Sequence, residues 1–277
     1  LAAAWLLSEL RGWRPALDRP RDALLALLVG AVTAPAAGAA VKLGLTPSLW
    51  SAAPLAQGLE WWTTHGLGIL LFAPLGFCWT AAPSERLGPR EWLAAGLALA
   101  AVVAMSVLVF SGTLGAAASQ YLMWFALFPL LVSCAMWLRP REIASVNAAV
   151  AAVAIWVMPA GAAAVGADVS PSLLMQGFLA VAASATLVLS ATSSAYRRTE
   201  SELRESEGRL RALADNLPSG MVYQVAMRRD GGGRRFVYLA RSCERLTGVS
   251  AEAALADPGA LYGAIAAEDR AGLAAAE

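Results

Sequence analysis

The chain has 277 residues, of which 58% are hydrophobic and only 15% are charged. A soluble domain usually carries about 25% charged residues, so the composition excludes a chain that is soluble throughout. The net charge of +1 averages two unlike regions, and no broad basic face suggests nucleic acid as a partner.

The apolar excess is uneven. Residues 1–196 are apolar, with charge confined to short clusters, and residues 197–277 hold most of the ordinary polar chemistry. Two regions therefore face two different solvents. The opening stretch, 1–9, reads as the tail of one partial span. It lacks the basic leader and cleavage site of a signal peptide, and the expectation is a piece of a longer protein cut at both ends.

A helix crosses a bilayer with about 20 apolar residues. The charge-free runs predict six full spans, at about 23–44, 61–80, 92–111, 120–138, 143–162 and 172–194, with Gly112, Gly115 and Ser119 marking a hairpin between the third and fourth. Arginines occupy alternate connections: Arg11, Arg14, Arg19 and Arg21, then Arg86 and Arg90, then Arg139 and Arg141, then Arg197 and Arg198. The intervening connections hold no Lys or Arg. The positive-inside rule places the arginine-bearing side in the cytoplasm, and with it everything after Tyr196. Pro35, Pro74, Pro129 and Pro159 fall inside spans, where neighbours can re-satisfy the carbonyls that a proline frees.

The pattern changes at "YRRTESELRESEGRLRALADNL", 196–217. Leu203, Leu210, Leu213 and Leu217 form a short a/d seam. Glu200–Arg204, Glu205–Arg209 and Glu207–Arg211 are i,i+4 pairs in the favoured order. The segment predicts a cytoplasmic signalling helix that continues the last span and pairs with a second subunit. Beyond Pro218, "MVYQVAMRR" and "RFVYLARS" predict two strands around the turn "DGGGR". Short helices follow, punctuated by Gly248, Pro258 and Gly263. A lone hairpin is not stable, so further strands are expected past Glu277. The fold class is thus mainly α: a polytopic transmembrane bundle, a signalling helix and a truncated α+β domain.

Two family resemblances follow from these stretches. "RPALDRPRDALLALLVGAV" at 14–32, "WWTTHGLGILLFAP" at 61–74 and "FPLL" at 128–131 with the arginine turn at 139–141 resemble the bacterial membrane-associated sensor domain of the first MASE class. The family usually has Gly-Asp where this chain has Thr64–His65. The resemblance implies an integral-membrane sensor for an unknown small ligand, with more spans upstream of Leu1. The second resemblance covers 206–277, where "LTG" at 246–248 and "EDR" at 268–270 are similar to marks of the first half of a PAS domain, with Ala266–Ala267 in place of the family's His-Pro. Together they imply domains at 1–195, 196–217 and 218–277, and a missing histidine kinase or diguanylate cyclase output. The enzyme class stays open, because the fragment holds no catalytic domain.

The candidate sensing residues centre on His65, the single histidine, with Trp61, Trp62 and Thr64 beside it. An ionisable group in a span is a functional candidate, although a histidine near the interfacial tryptophans can also simply reach the headgroups. Lys42 and Glu60 end one span and begin the next, in position to pair. Tyr223, Phe236 and Tyr238 are candidates for a PAS pocket, or for ordinary sheet core. One histidine cannot supply a bis-histidine haem or an all-histidine zinc site. Cys78, Cys134 and Cys243 fit no metal or disulfide spacing, so they read as small buried hydrophobes. No catalytic residue, metal site or cofactor is identified, and the expected partners are membrane lipid and a second copy of the chain. The reading is a sensory input region in the bacterial inner membrane, multi-pass, with a cytoplasmic C-terminus. The alternative is a transporter or channel with an accessory domain.

Overall fold

The computed structural model describes residues 9, 12–45, 54–82, 88–111, 124–157, 171–218, 220–227 and 234–268. The chain divides into two compact units, Leu1–Arg198 and Thr199–Glu277. The hairpin at 112–119, Pro159, the "DGGG" turn and most of "EDR" lie outside the described residues.

The first unit is helical. Helix α1, Pro20–Leu45, opens with proline in its first turn, where the missing N–H costs nothing. Residues Ala26–Thr33 within it are π-helical, and the Ala34 N–H bonds the Val29 carbonyl. Pro35 follows at once and cannot donate to the carbonyl four residues back, so the irregular turn stands where α-helical bonding must fail in any case. Helix α2, Pro54–Thr80, carries Pro74 in its interior. Helix α3, Pro89–Phe110, starts from an extended Gly88, whose N–H donates to Glu91 Oε2 at 2.8 Å.

Helix α4, Leu127–Trp137, has only 11 residues, and its Pro129 lies in the first turn, where it neither breaks nor kinks. An extended Leu138 ends it. Helix α5, Pro140–Val157, begins two residues later, and Glu142 Oε2 accepts the Arg139 N–H at 3.1 Å. That bond satisfies the Arg139 N–H at the tight turn between the two helices. Helix α6, Pro171–Asp215, runs unbroken for 45 residues. The last apolar segment and the charged segment, read separately in the sequence, are one helix.

Among the described residues, four helices are long and apolar enough to cross a membrane: Pro20–Leu45, Pro89–Phe110, Pro140–Val157 and the stretch Leu173–Asp215 of α6. Two of the six expected spans are not among them. Helix α4 is short, and residues 112–123 ahead of it are not described. Helix α2 is long enough, but Glu60, Thr63, Thr64 and His65 dilute its apolar character. One core joins the bundle through Leu70, Val102, Phe110, Leu127, Leu131, Ile143, Val150 and Phe178. A second, smaller cluster of Leu17, Ala23, Cys78, Leu187 and Ala191 lies beside it.

The second unit holds the end of α6, then β1, Tyr223–Met227, and β2, Arg234–Leu239, paired antiparallel. Helices α7, Ser242–Thr247, α8, Ala251–Ala256, and α9, Pro258–Gly263, follow. Gly248 ends α7 at φ 77°, a left-handed cap that favours glycine. Ser250 and Asp257 cap the next two helices, accepting backbone N–H groups at 3.2 and 2.9 Å. Phe236, Leu239, Cys243, Ala254 and Leu261 form the core of this unit.

Candidate functional site

The first half of α2 packs antiparallel on α1, and glycines set the distance. A Cβ on Gly66 would lie 2.6 Å from the Ala31 carbonyl oxygen, and one on Gly38 would lie 2.5 Å from the Trp61 ring. Gly66 excludes any side chain, because it meets backbone, whereas a side chain at Gly38 would require the Trp61 ring to move. The Trp62 indole N–H donates to the Val32 carbonyl at 2.9 Å, within the π-helical stretch. Irregular backbone in a span is tolerated where a neighbour re-satisfies it, and Trp62 does so here.

Trp61 is the platform of the site. His65 stacks on it, with ring centroids 3.7 Å apart at 19°. The Lys42 ammonium lies over the same ring, 5.9 Å from its centroid. Lys42 is thus turned toward an aromatic face and makes no ion pair with Glu60; the quadrupole of the ring attracts the cation. The His65 Nδ1 lies 2.8 Å from the Trp61 carbonyl. A carbonyl only accepts, so Nδ1 carries a proton and Nε2 is the nitrogen left open to a ligand. Thr64 points elsewhere. Its hydroxyl donates to the Glu60 carbonyl at 2.8 Å and lies 3.5 Å from Gln176 Nε2 of α6. The structure therefore joins His65 and Lys42 around the Trp61 ring, turns Trp62 to the backbone of α1, and links Thr64 to α6.

Several polar residues escaped the sequence reading. Gln176 places a buried Oε1 without a hydrogen-bond partner beside Thr64. Asn147 of α5 and Thr186 of α6, both buried, bond each other: Asn147 Nδ2 donates to Thr186 Oγ1 at 3.0 Å, and Thr186 donates to the Ala182 carbonyl at 2.7 Å. Uncharged polar residues dispersed in apolar runs give no pattern along the chain. Their signal was their rarity there.

The arginines gather at another part of the bundle. Arg141 stacks 3.8 Å over Trp79, whose indole N–H donates to Ser145 Oγ at 3.0 Å. Arg197 donates to the Met136 carbonyl, and Arg198 Nη1 lies 3.9 Å from Asp18 Oδ2. The ends of α2, α4 and α5 and residues 190–198 of α6 thus meet the segment before α1. All three cysteines are free and buried. Among the described residues no group of three His, Cys, Asp or Glu side chains is placed to hold a metal ion.

In the second unit Tyr223 meets Phe236 edge-on at 5.9 Å, and Tyr262 stacks on Phe236 at 6.0 Å. A bulge between Gln224 and Val225 pairs Val225 with Phe236 and Tyr223 with Leu239, leaving Tyr238 opposite Gln224. Tyr238 therefore lies on the other face of the hairpin, because one extra residue reverses the alternation. Tyr262 takes its place in the aromatic group. Leu203, Leu210, Leu213 and Leu217 are exposed.

Residues 1–197 match the model of one protein family, MASE1. No curated protein and no solved structure matches the chain.

Proposed function

The chain belongs to the MASE1 family, membrane-associated sensor domains of signalling proteins, and is a multi-pass membrane protein; on that premise we propose that it is the sensory input region of a bacterial signal-transduction protein. The stimulus acts at the Trp61–His65 platform or its surroundings. Helix α6 carries the change out of the bilayer to a PAS-type domain, formed by 218–277 and continued beyond it, and then to a histidine kinase or diguanylate cyclase.

The observation that carries this reading is the continuity of α6. One helix begins beside the candidate site at Gln176 and ends in the charged, leucine-striped segment. A stimulus changes output only if it favours one helix arrangement over another, and a continuous helix transmits such a change without slack. The arginine-bearing ends face the cytoplasm under the positive-inside rule. Their meeting around Trp79, Arg141, Met136 and Arg197 supports one common side. The exposed Leu203, Leu210 and Leu213 form the seam for a second copy.

The test is the output activity of the full-length protein in membranes, with and without Leu210→Pro. Loss of response with normal membrane insertion is expected, because proline breaks the helix between input and output. An unchanged response counts against helix-borne signalling. Solute uptake into vesicles carrying the chain supports the transporter alternative instead.

A further inference from the structure

Four of the polar contacts that α6 makes with other helices lie on one side of it. Gln176, Thr186, Ser190 and Arg197 fall within about a quarter of a turn at 3.6 residues per turn. Each reaches a different point on the bundle. Gln176 Nε2 lies 3.5 Å from Thr64 of α2, and Thr186 accepts from Asn147 of α5 at 3.0 Å. Ser190 donates to the Leu138 carbonyl at 2.8 Å, and Arg197 to the Met136 carbonyl. Those two carbonyls stand at the end of α4, where helical partners run out. A hydroxyl and a cation of α6 supply what the helix end lacks, and a cation there also suits the helix dipole.

The contacts share a property. Turning α6 about its axis by one residue position would take all four side chains off their partners together. In an apolar surrounding the buried Asn147–Thr186 bond, once lost, has no water to replace it. The angle of α6 is therefore set discretely.

We propose that this hydrogen-bonded rail fixes the rotation of α6, with Asn147–Thr186 as its buried anchor and Thr64–Gln176 as the point where the stimulus enters. This rests on the sensory reading above. Thr64 adjoins His65, and its contact with Gln176 is the longest of the rail, while Gln176 Oε1 is buried without a partner. A ligand that offers a hydrogen-bond donor to that oxygen draws Gln176 from Thr64 and releases the upper end. The anchored part then settles at a new angle, and the leucine seam turns with it.

The experiment places single cysteines in turn at positions 189–196 of the full-length protein in membrane vesicles and alkylates them with a maleimide, over the background of three buried native cysteines. Helical periodicity is expected, with low reactivity at the buried Ser190 and Ala191 and high reactivity at the exposed Thr192 and Tyr196. Thr186→Val, which keeps shape and removes the hydroxyl, is expected to flatten the pattern, and Thr186→Ser to keep it. If Thr186→Val does not reach the membrane, Ser190→Ala reads the same loss. No periodicity in the parent, or the same pattern in both Thr186→Val and Ser190→Ala, overturns the rail. A flattened pattern with unaltered output activity supports the rail and overturns the sensory reading. A flattened pattern with altered output supports both.

Discussion

Gly66 and Gly68, two residues apart in sequence and on nearly opposite sides of α2, have opposite value. Gly66 has no room for a methyl group, since a Cβ there meets the Ala31 carbonyl oxygen at 2.6 Å, whereas Gly68 has nothing within 4 Å. Backbone cannot step aside as a flexible side chain can. Gly66→Ala is expected to destabilise the first unit by about 1–3 kcal/mol, the usual cost of overpacking, read as lowered resistance to denaturant in detergent. Gly68→Ala should be neutral or stabilising by up to about 1 kcal/mol, because alanine loses less entropy in a helix. His65 offers a second check. It is the single histidine of the chain, so its ring nitrogens give one resolvable signal set by nitrogen NMR. The bond from Nδ1 to the Trp61 carbonyl predicts the Nδ1-protonated tautomer in the neutral ring. The Nε2-protonated form would disprove that geometry. The histidine was conspicuous in the sequence; its tautomer was not, because it depends on the rotamer that the ring takes against Trp61.

Helix α6 shows how differently an element's contacts are weighted. The three ion pairs Glu200–Arg204, Glu205–Arg209 and Glu207–Arg211 all form, and all are exposed. Each contributes about 0.2–0.5 kcal/mol and weakens with salt. Glu205→Gln should therefore leave the helix intact under limited proteolysis. Leu210→Pro removes a bond and clashes with the preceding turn at a cost of about 3 kcal/mol, so new cleavage near position 210 is expected. These pairs were readable because i,i+4 spacing is a local rule. The Asn147–Thr186 bond was not, because 39 residues separate its partners and nothing in either helix points to the other. The hairpin gives the same lesson. Tyr223, Phe236 and Tyr238 have spacings that suit one face, but the bulge at Gln224–Val225 moves Tyr238 to the other.

For the molecule as a whole, the proposed orientation makes a clear demand. With the arginine-bearing connections inside, Ala117→Cys should react with an impermeant thiol reagent added to intact cells, and Ser84→Cys only after permeabilisation. The reverse result would invert the proposed topology and place the second unit outside. Length and apolar composition fix helices such as α3 and α5, since a bilayer imposes a simple threshold on both. They do not fix α2, whose polar first half is where the candidate site lies.

The sequence by itself determined that the chain enters a membrane, that its charges alternate between connections, and that a charged amphipathic helix follows the last apolar run. Composition and short-range periodicity carry that information, and both are local. Tertiary structure alone decided that Lys42 meets Trp61, that Gly66 and Gly38 let α1 and α2 close on each other, and that Gln176, Thr186, Ser190 and Arg197 align on one side of α6 to meet three other helices. Each of those depends on which faces oppose one another once the helices pack, and packing joins residues that are tens of positions apart.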